Sequence, residues 1–188
     1  MFFPVDSVTR RRAKSAHELA MVNLLLVNLL MLIALLAGSF LQHGSPLLDY
    51  KLVGVVAPFI VSMAIIFFTF IKASKSAEEV PWFVTAHWRL ASARYKILLF
   101  AYGIGVGLIG VGWLLSTSQK TPGMQELMFV ALQRVAIAPV LVTLMVIIML
   151  EAGALYQAGR GEIPDGMIKK YPPPESLGGG ESEFMTEA

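Results

Sequence analysis

Any chemistry in this chain would have to come from a short set of side chains. Its imidazoles are His17, His43 and His87, and a haem held between spans needs two of them facing each other at depth. His17 and His87 lie toward the basic ends of apolar stretches and His43 in a connection on the opposite side, so none is expected well inside a span. They read as surface or interfacial histidines, and no cofactor is expected. Met145 and Met149 share a helix face, as a copper site would require, but no histidine accompanies them and no metal is expected. The absence of Cys removes disulfides, thiolate metal sites and cysteine nucleophiles in one step. Glu78 and Glu79 are adjacent, which on a helix sends them to different faces rather than into a carboxylate pair. With no nucleophile beside a base and no phosphate-cradling glycine loop, the sequence predicts a chain that is not an enzyme.

Polar groups within the apolar stretches are candidates for contact rather than catalysis. Asn23 and Asn28 must find partners, because hydrocarbon offers none. Five residues apart on an α-helix they stand about 140° apart, so they are not expected to form one ladder. Ser62 and Thr143 each follow a proline by four residues, Pro58 and Pro139, where a hydroxyl can reach a nearby carbonyl or simply pack.

The elements that hold these residues follow from composition and charge. The chain has 188 residues, 56% of them hydrophobic and 15% charged, with a mean hydropathy of +0.67. That is too apolar for a soluble domain of this size and points to one compact membrane unit. Three stretches carry no charge over a spanning length: 19–41, 52–71 and 97–115. A fourth, from Leu127 to Leu155, is interrupted by Arg134 and Glu151.

An internal match settles its register. Residues 57–66 and 138–147 share Ala-Pro, a valine and a hydroxyl residue in order, at Ala57/Ala138, Pro58/Pro139, Val61/Val142 and Ser62/Thr143. Glu79-Val80-Pro81 and Glu162-Ile163-Pro164 follow the two copies. The chain therefore reads as two hairpin repeats, 1–80 and 81–163, with a largely disordered tail at 164–188. Each repeat holds two spans, so the copies are parallel. Aligned on its counterpart, the fourth span runs over about 133–152, with Arg134 at the outer interface and Glu151 at the inner one, both able to snorkel to water. No ionisable group is then left near the midplane, and an ion-coupled carrier lacks its usual equipment.

Basic residues give an orientation. Arg10, Arg11, Arg12 and Lys14, then Lys72, Lys75, Arg89, Arg94 and Lys96, then Arg160, Lys169 and Lys170 fall on one side, against Lys51 and Lys120 on the other. Both termini are therefore expected in the cytoplasm, at a plasma membrane or a bacterial inner membrane. Topology accounts for the net charge of +2, and no nucleic-acid partner is expected. Trp82, Trp88, Arg89, Arg94 and Arg134 read as interfacial anchors. Helices should continue past the bilayer on the cytoplasmic side, with Val80-Pro81 marking a turn.

Gly103, Gly107 and Gly110 share one face of the third span, where small residues let another backbone approach, and Gly105 and Gly112 prepare a second face. Pro58 and Pro139 should bend the second and fourth spans. The expected architecture is an all-α four-helix membrane bundle of two parallel hairpins with cytoplasmic helix extensions. Its partners are the lipid bilayer and other membrane subunits or a second copy. The expected function is a non-catalytic accessory, assembly or structural subunit of a membrane complex. The alternatives are a small transporter or channel working as a homo-oligomer, and a b-type haem electron-transfer subunit.

Overall fold

The computed structural model describes residues 1–38, 51–75 and 80–175. His43, Glu78, Glu79 and the end of the tail lie outside the described residues. The chain is all-α, with four long apolar helices packed as a bundle. In order, α1 (Ser7–Val22) passes into a π-helical segment (Asn23–Leu29) and α2 (Leu30–Gly38), followed by α3 (Lys51–Ser74), α4 (Trp82–Thr117), α5 (Pro122–Arg160) and the short α6 (Asp165–Lys170). The candidate membrane spans are Ser7–Leu36, Val53–Ser74, Trp82–Thr117 and Pro122–Arg160. The expected spans 52–71, 97–115 and 133–152 each lie inside one helix.

Local chemistry explains the helix ends. Asp6 caps α1 by accepting the Thr9 amide at 2.6 Å. That bond from the Thr9 backbone, helped by the Thr9 hydroxyl, holds the Asp6 carboxyl below its ordinary value of 3.8. The cap's contribution is therefore complete above that value and is lost as pH falls through the lowered one. Pro81 supplies the carbonyl for the first amides of α4, Val84 at 3.0 Å and Thr85 at 3.2 Å. Pro122 occupies the first position of α5, where its missing N–H costs nothing. α4 and α5 have 36 and 39 residues, against the ~20 a bilayer needs, so both continue well beyond one hydrocarbon thickness.

Two compact units share these helices. Among the described residues, one comprises those within 1–20, 66–93 and 150–175 and the other those within 21–65 and 94–149. In the first, Ala13, Ala16 and Ala20 on α1 and Ala154 and Ala158 on α5 are buried stripes of small residues. Trp82 and Trp88, expected as headgroup anchors, are instead packed inside: Trp82 meets Phe3 at 5.1 Å between ring centroids and Trp88 meets Phe68 edge-on at 6.0 Å. Arg89 donates from Nε to the Ala73 carbonyl at 3.2 Å, which satisfies an end of α3, and its guanidinium lies 4.4 Å from the Tyr171 ring centroid. The first residues pair with the segment after α5 through Phe3 N to Gly161 O at 2.9 Å and Ile163 N to Met1 O at 3.0 Å. Gly161 has φ +83°, and a Cβ there would sit 2.9 Å from the Phe3 carbonyl oxygen, so glycine is required on both counts.

The second unit inverts the pattern of a soluble protein. Phe100, Val106, Leu127 and Val142 are 64–71% exposed, while Asn23, Asn28 and Ser62 are fully buried. Large apolar side chains outside and amides inside are the arrangement that lipid contact imposes. The glycines of α4 divide by face. A Cβ at Gly105 would lie 2.8 Å from Val140 and one at Gly112 3.0 Å from Leu132, so these two admit α5. At Gly103, Gly107 and Gly110 a Cβ would meet nothing within 4 Å, and within the described chain these three do not serve helix packing.

Candidate functional site

The first unit contains a buried chain of three ionisable side chains. His17 Nδ1 lies 2.5 Å from Glu151 Oε2 and His17 Nε2 lies 2.8 Å from His87 Nδ1. His17, His87 and Glu151 are at most 1% exposed. α1 presents His17 within the Ala13, Ala16, Ala20 stripe, and α5 presents Glu151 one turn before Ala154. Small neighbours allow the helices close enough for the side chains to meet. His87 comes from the second turn of α4; its ring lies 5.1 Å from that of His17, edge to face, and 4.8 Å from that of Phe83.

The arrangement corrects three expectations. The histidines at 17 and 87 are not surface side chains; they are buried in the interior. Glu151 does not snorkel outward, because His17 binds its carboxylate within the protein. Arg134 is exposed. A buried charged group is costly unless paired, and a paired carboxylate and imidazole share their charge. Both ring nitrogens of His17 are engaged on opposite edges of the ring, so the three side chains form a line rather than converge on a point. Among the described residues no group of three or more His, Cys, Asp or Glu is arranged to hold a metal ion. For the same reason His17 aims no lone pair at an open axial position, as haem ligation would need.

Hydrogen-bonding roles in the line are constrained. With Glu151 ionised, His17 Nδ1 carries the hydrogen and donates to the carboxylate. The 2.8 Å contact then has two forms. In one, a cationic His87 donates from Nδ1 to a neutral His17; in the other, a cationic His17 donates to a neutral His87. The two differ by the position of one proton between nitrogens already in contact.

A second polar cluster lies in the other unit. Asn23 Nδ2 donates to Tyr95 Oη at 3.0 Å, and Asn28 Nδ2 donates to both the backbone and side-chain oxygens of Asn23, at 2.7 and 3.1 Å. Ser62 Oγ at 3.1 Å and Tyr102 Oη both donate to Asn28 Oδ1. The expected 140° separation of the two asparagines fails because residues 23–29 are π-helical. Pairing from residue i to i+5 places Asn28 one turn above Asn23, so the amides do form a ladder. Ser62 and Thr143, which occupy matching places in sequence, part company: Ser62 joins this cluster while Thr143 donates back to the Pro139 carbonyl at 2.9 Å. Pro58 and Pro139 both lie inside continuous helices, α3 and α5.

The histidine line escaped sequence reading because its members are far apart in the chain. One signal was available: His17 lies among Ala13, Ala16 and Ala20, and Glu151 precedes Ala154 and Ala158, small residues that mark helix-packing faces. A polar residue on such a face must be bonded across the interface. No family model, no curated protein and no solved structure matches this chain.

Proposed function

We propose that this chain is a non-catalytic, proton-handling subunit of a membrane assembly, and that Glu151, His17 and His87 are where it holds the proton. The buried line of these three groups carries the reading, since ionisable side chains enclosed between candidate membrane-spanning helices are candidates for function. A proton arriving on His87 can pass from its Nδ1 to His17 Nε2 while His17 passes its Nδ1 hydrogen to Glu151 Oε2. The charge of Glu151 is neutralised, both imidazoles end neutral, and no heavy atom need move far. The test is infrared spectroscopy of the protein in nanodiscs across a pH series. A protonated-carboxyl band that disappears in Glu151→Gln and shifts in His87→Asn is expected. An unchanged band in both variants would sink the reading.

Membership of an assembly is supported by α4. With Gly105 and Gly112 occupied by α5, nothing among the described residues meets a Cβ placed at Gly103, Gly107 or Gly110, and that face suits the approach of another helix backbone. Gly107→Leu is expected to abolish co-purification of partner chains in mild detergent while leaving the fold intact, whereas Gly105→Leu lowers stability first. A chain that runs as a monomer with or without the Gly107 substitution counts against this. A homo-oligomeric carrier would use the same face toward a second copy, and a b-type haem subunit would show a haem absorption band on purification. We also read the chain as two parallel repeats with both termini cytoplasmic; the matching Ala-Pro positions in α3 and α5 and the one-sided basic residues support this.

A further inference from the structure

The second unit holds a cavity of about 370 Å³ lined from α2, α3, α4 and α5. Its walls include Leu35, Phe59, Ile109, Ile137 and Val140, and Tyr102 is the one lining residue with a polar side-chain group. That volume lies in the range of small-molecule sites, which are mostly apolar with a few placed polar groups. A cavity so lined gives water too few partners to hold it and favours an apolar occupant.

The polar wall defines the other end of that occupant. Tyr102 Oη spends its hydrogen on Asn28 Oδ1, and the same oxygen also accepts from Ser62. Asn28 in turn donates to Asn23, and Asn23 to Tyr95, so every donor in this array points away from the Tyr102 end. What the Tyr102 hydroxyl has left is acceptor capacity. Phe59 stands edge-on to the Tyr102 ring, 6.2 Å between centroids, so the wall beside that ring is aromatic.

We propose that this cavity binds a membrane-dissolved molecule with an apolar body ending in a ring hydroxyl, of the alkylphenol or quinol class, which donates to Tyr102 Oη. A lipid acyl chain has no donor to offer there, and a ligand ending in a carbonyl would have to turn Tyr102 away from Asn28. The inference rests on the cavity and the amide array alone and stands without the proton reading.

Calorimetric titration of the full chain in nanodiscs with 4-hexylphenol and hexylbenzene tests it. Saturable binding of the phenol is expected, tighter than that of hexylbenzene. Tyr102→Phe should weaken the phenol roughly fivefold, the loss of one neutral hydrogen bond, and leave hexylbenzene unchanged. The fold should survive this change because Ser62 still serves Asn28. Ile109→Trp, which fills the cavity, should remove both; Val106→Phe, at another lining position, serves if Ile109→Trp fails to fold. Equal affinities that ignore Tyr102→Phe would mean an acyl-chain slot only and overturn the proposal, as would the absence of saturable phenol binding.

Discussion

Truncation of Glu151 to alanine is expected to cost about 3–5 kcal/mol of unfolding free energy, the cost of leaving one member of a buried pair without its partner. His17 is fully buried, and its Nδ1 hydrogen would then face a space lined by the helices that enclosed the carboxylate. The loss should exceed that of any single apolar truncation at an exposed face, such as Phe100→Ala. Replacing both partners, in His17→Leu with Glu151→Leu, should recover part of the loss, since only a broken pair is severe; what is not recovered belongs to His87, whose buried Nδ1 loses its contact with His17. Denaturant unfolding in mixed micelles is measured for the wild type, Glu151→Ala, Phe100→Ala, His17→Leu, Glu151→Leu and the double leucine variant. If the double variant were as unstable as the sum of the singles, the pair would owe its cost to shape rather than to uncompensated charge. Stability and proton handling separate in the same series: Glu151→Gln keeps a hydrogen-bonding side chain of the same length but cannot take up the proton.

The second large effect is expected at Asn28. Its amide makes four hydrogen bonds, two as donor to Asn23 and two as acceptor from Ser62 and Tyr102. Side-chain hydrogen bonds within membranes average about 0.6 kcal/mol, because the separated helices find other partners. Asn28→Leu should therefore cost about 2–3 kcal/mol, four such bonds together, while Tyr102→Phe should cost less than about 1 kcal/mol. The larger loss is accompanied by a backbone change: without the Asn28 to Asn23 bonds, residues 23–29 lose the side-chain brace across their π-helical turn. Amide exchange at residues 23–29 should rise in Asn28→Leu and stay unchanged in Tyr102→Phe. Equal stability losses in the two variants would show that the ladder contributes nothing beyond a single bond.

Much of the architecture was legible in the chain itself. Apolar runs longer than a bilayer crossing have few folded alternatives, so four apolar helices followed from composition, and the turn at Val80-Pro81 before α4 followed from backbone sterics. Two glycine faces were expected on α4, with no partner helix assigned to either. Gly103, Gly107 and Gly110 have the usual small-residue spacing, yet Gly105 and Gly112 meet Val140 and Leu132. Spacing along one helix says which residues share a face and nothing about which face the neighbour takes.

The candidate site marks the same boundary more sharply. Hydropathy, charge asymmetry and proline positions are properties of short segments, and they determined spans, turns and the exclusion of cysteine chemistry. The meeting of His17, His87 and Glu151 depends on three helices approaching at alanine faces, with partners 70 and 134 residues from His17. The Asn23 and Asn28 ladder depends on a helix leaving the α geometry that any periodicity argument assumes. Only the tertiary structure decided these, because a buried polar group takes the conformation that gives it a partner, and that requirement outweighs the local preference of the backbone.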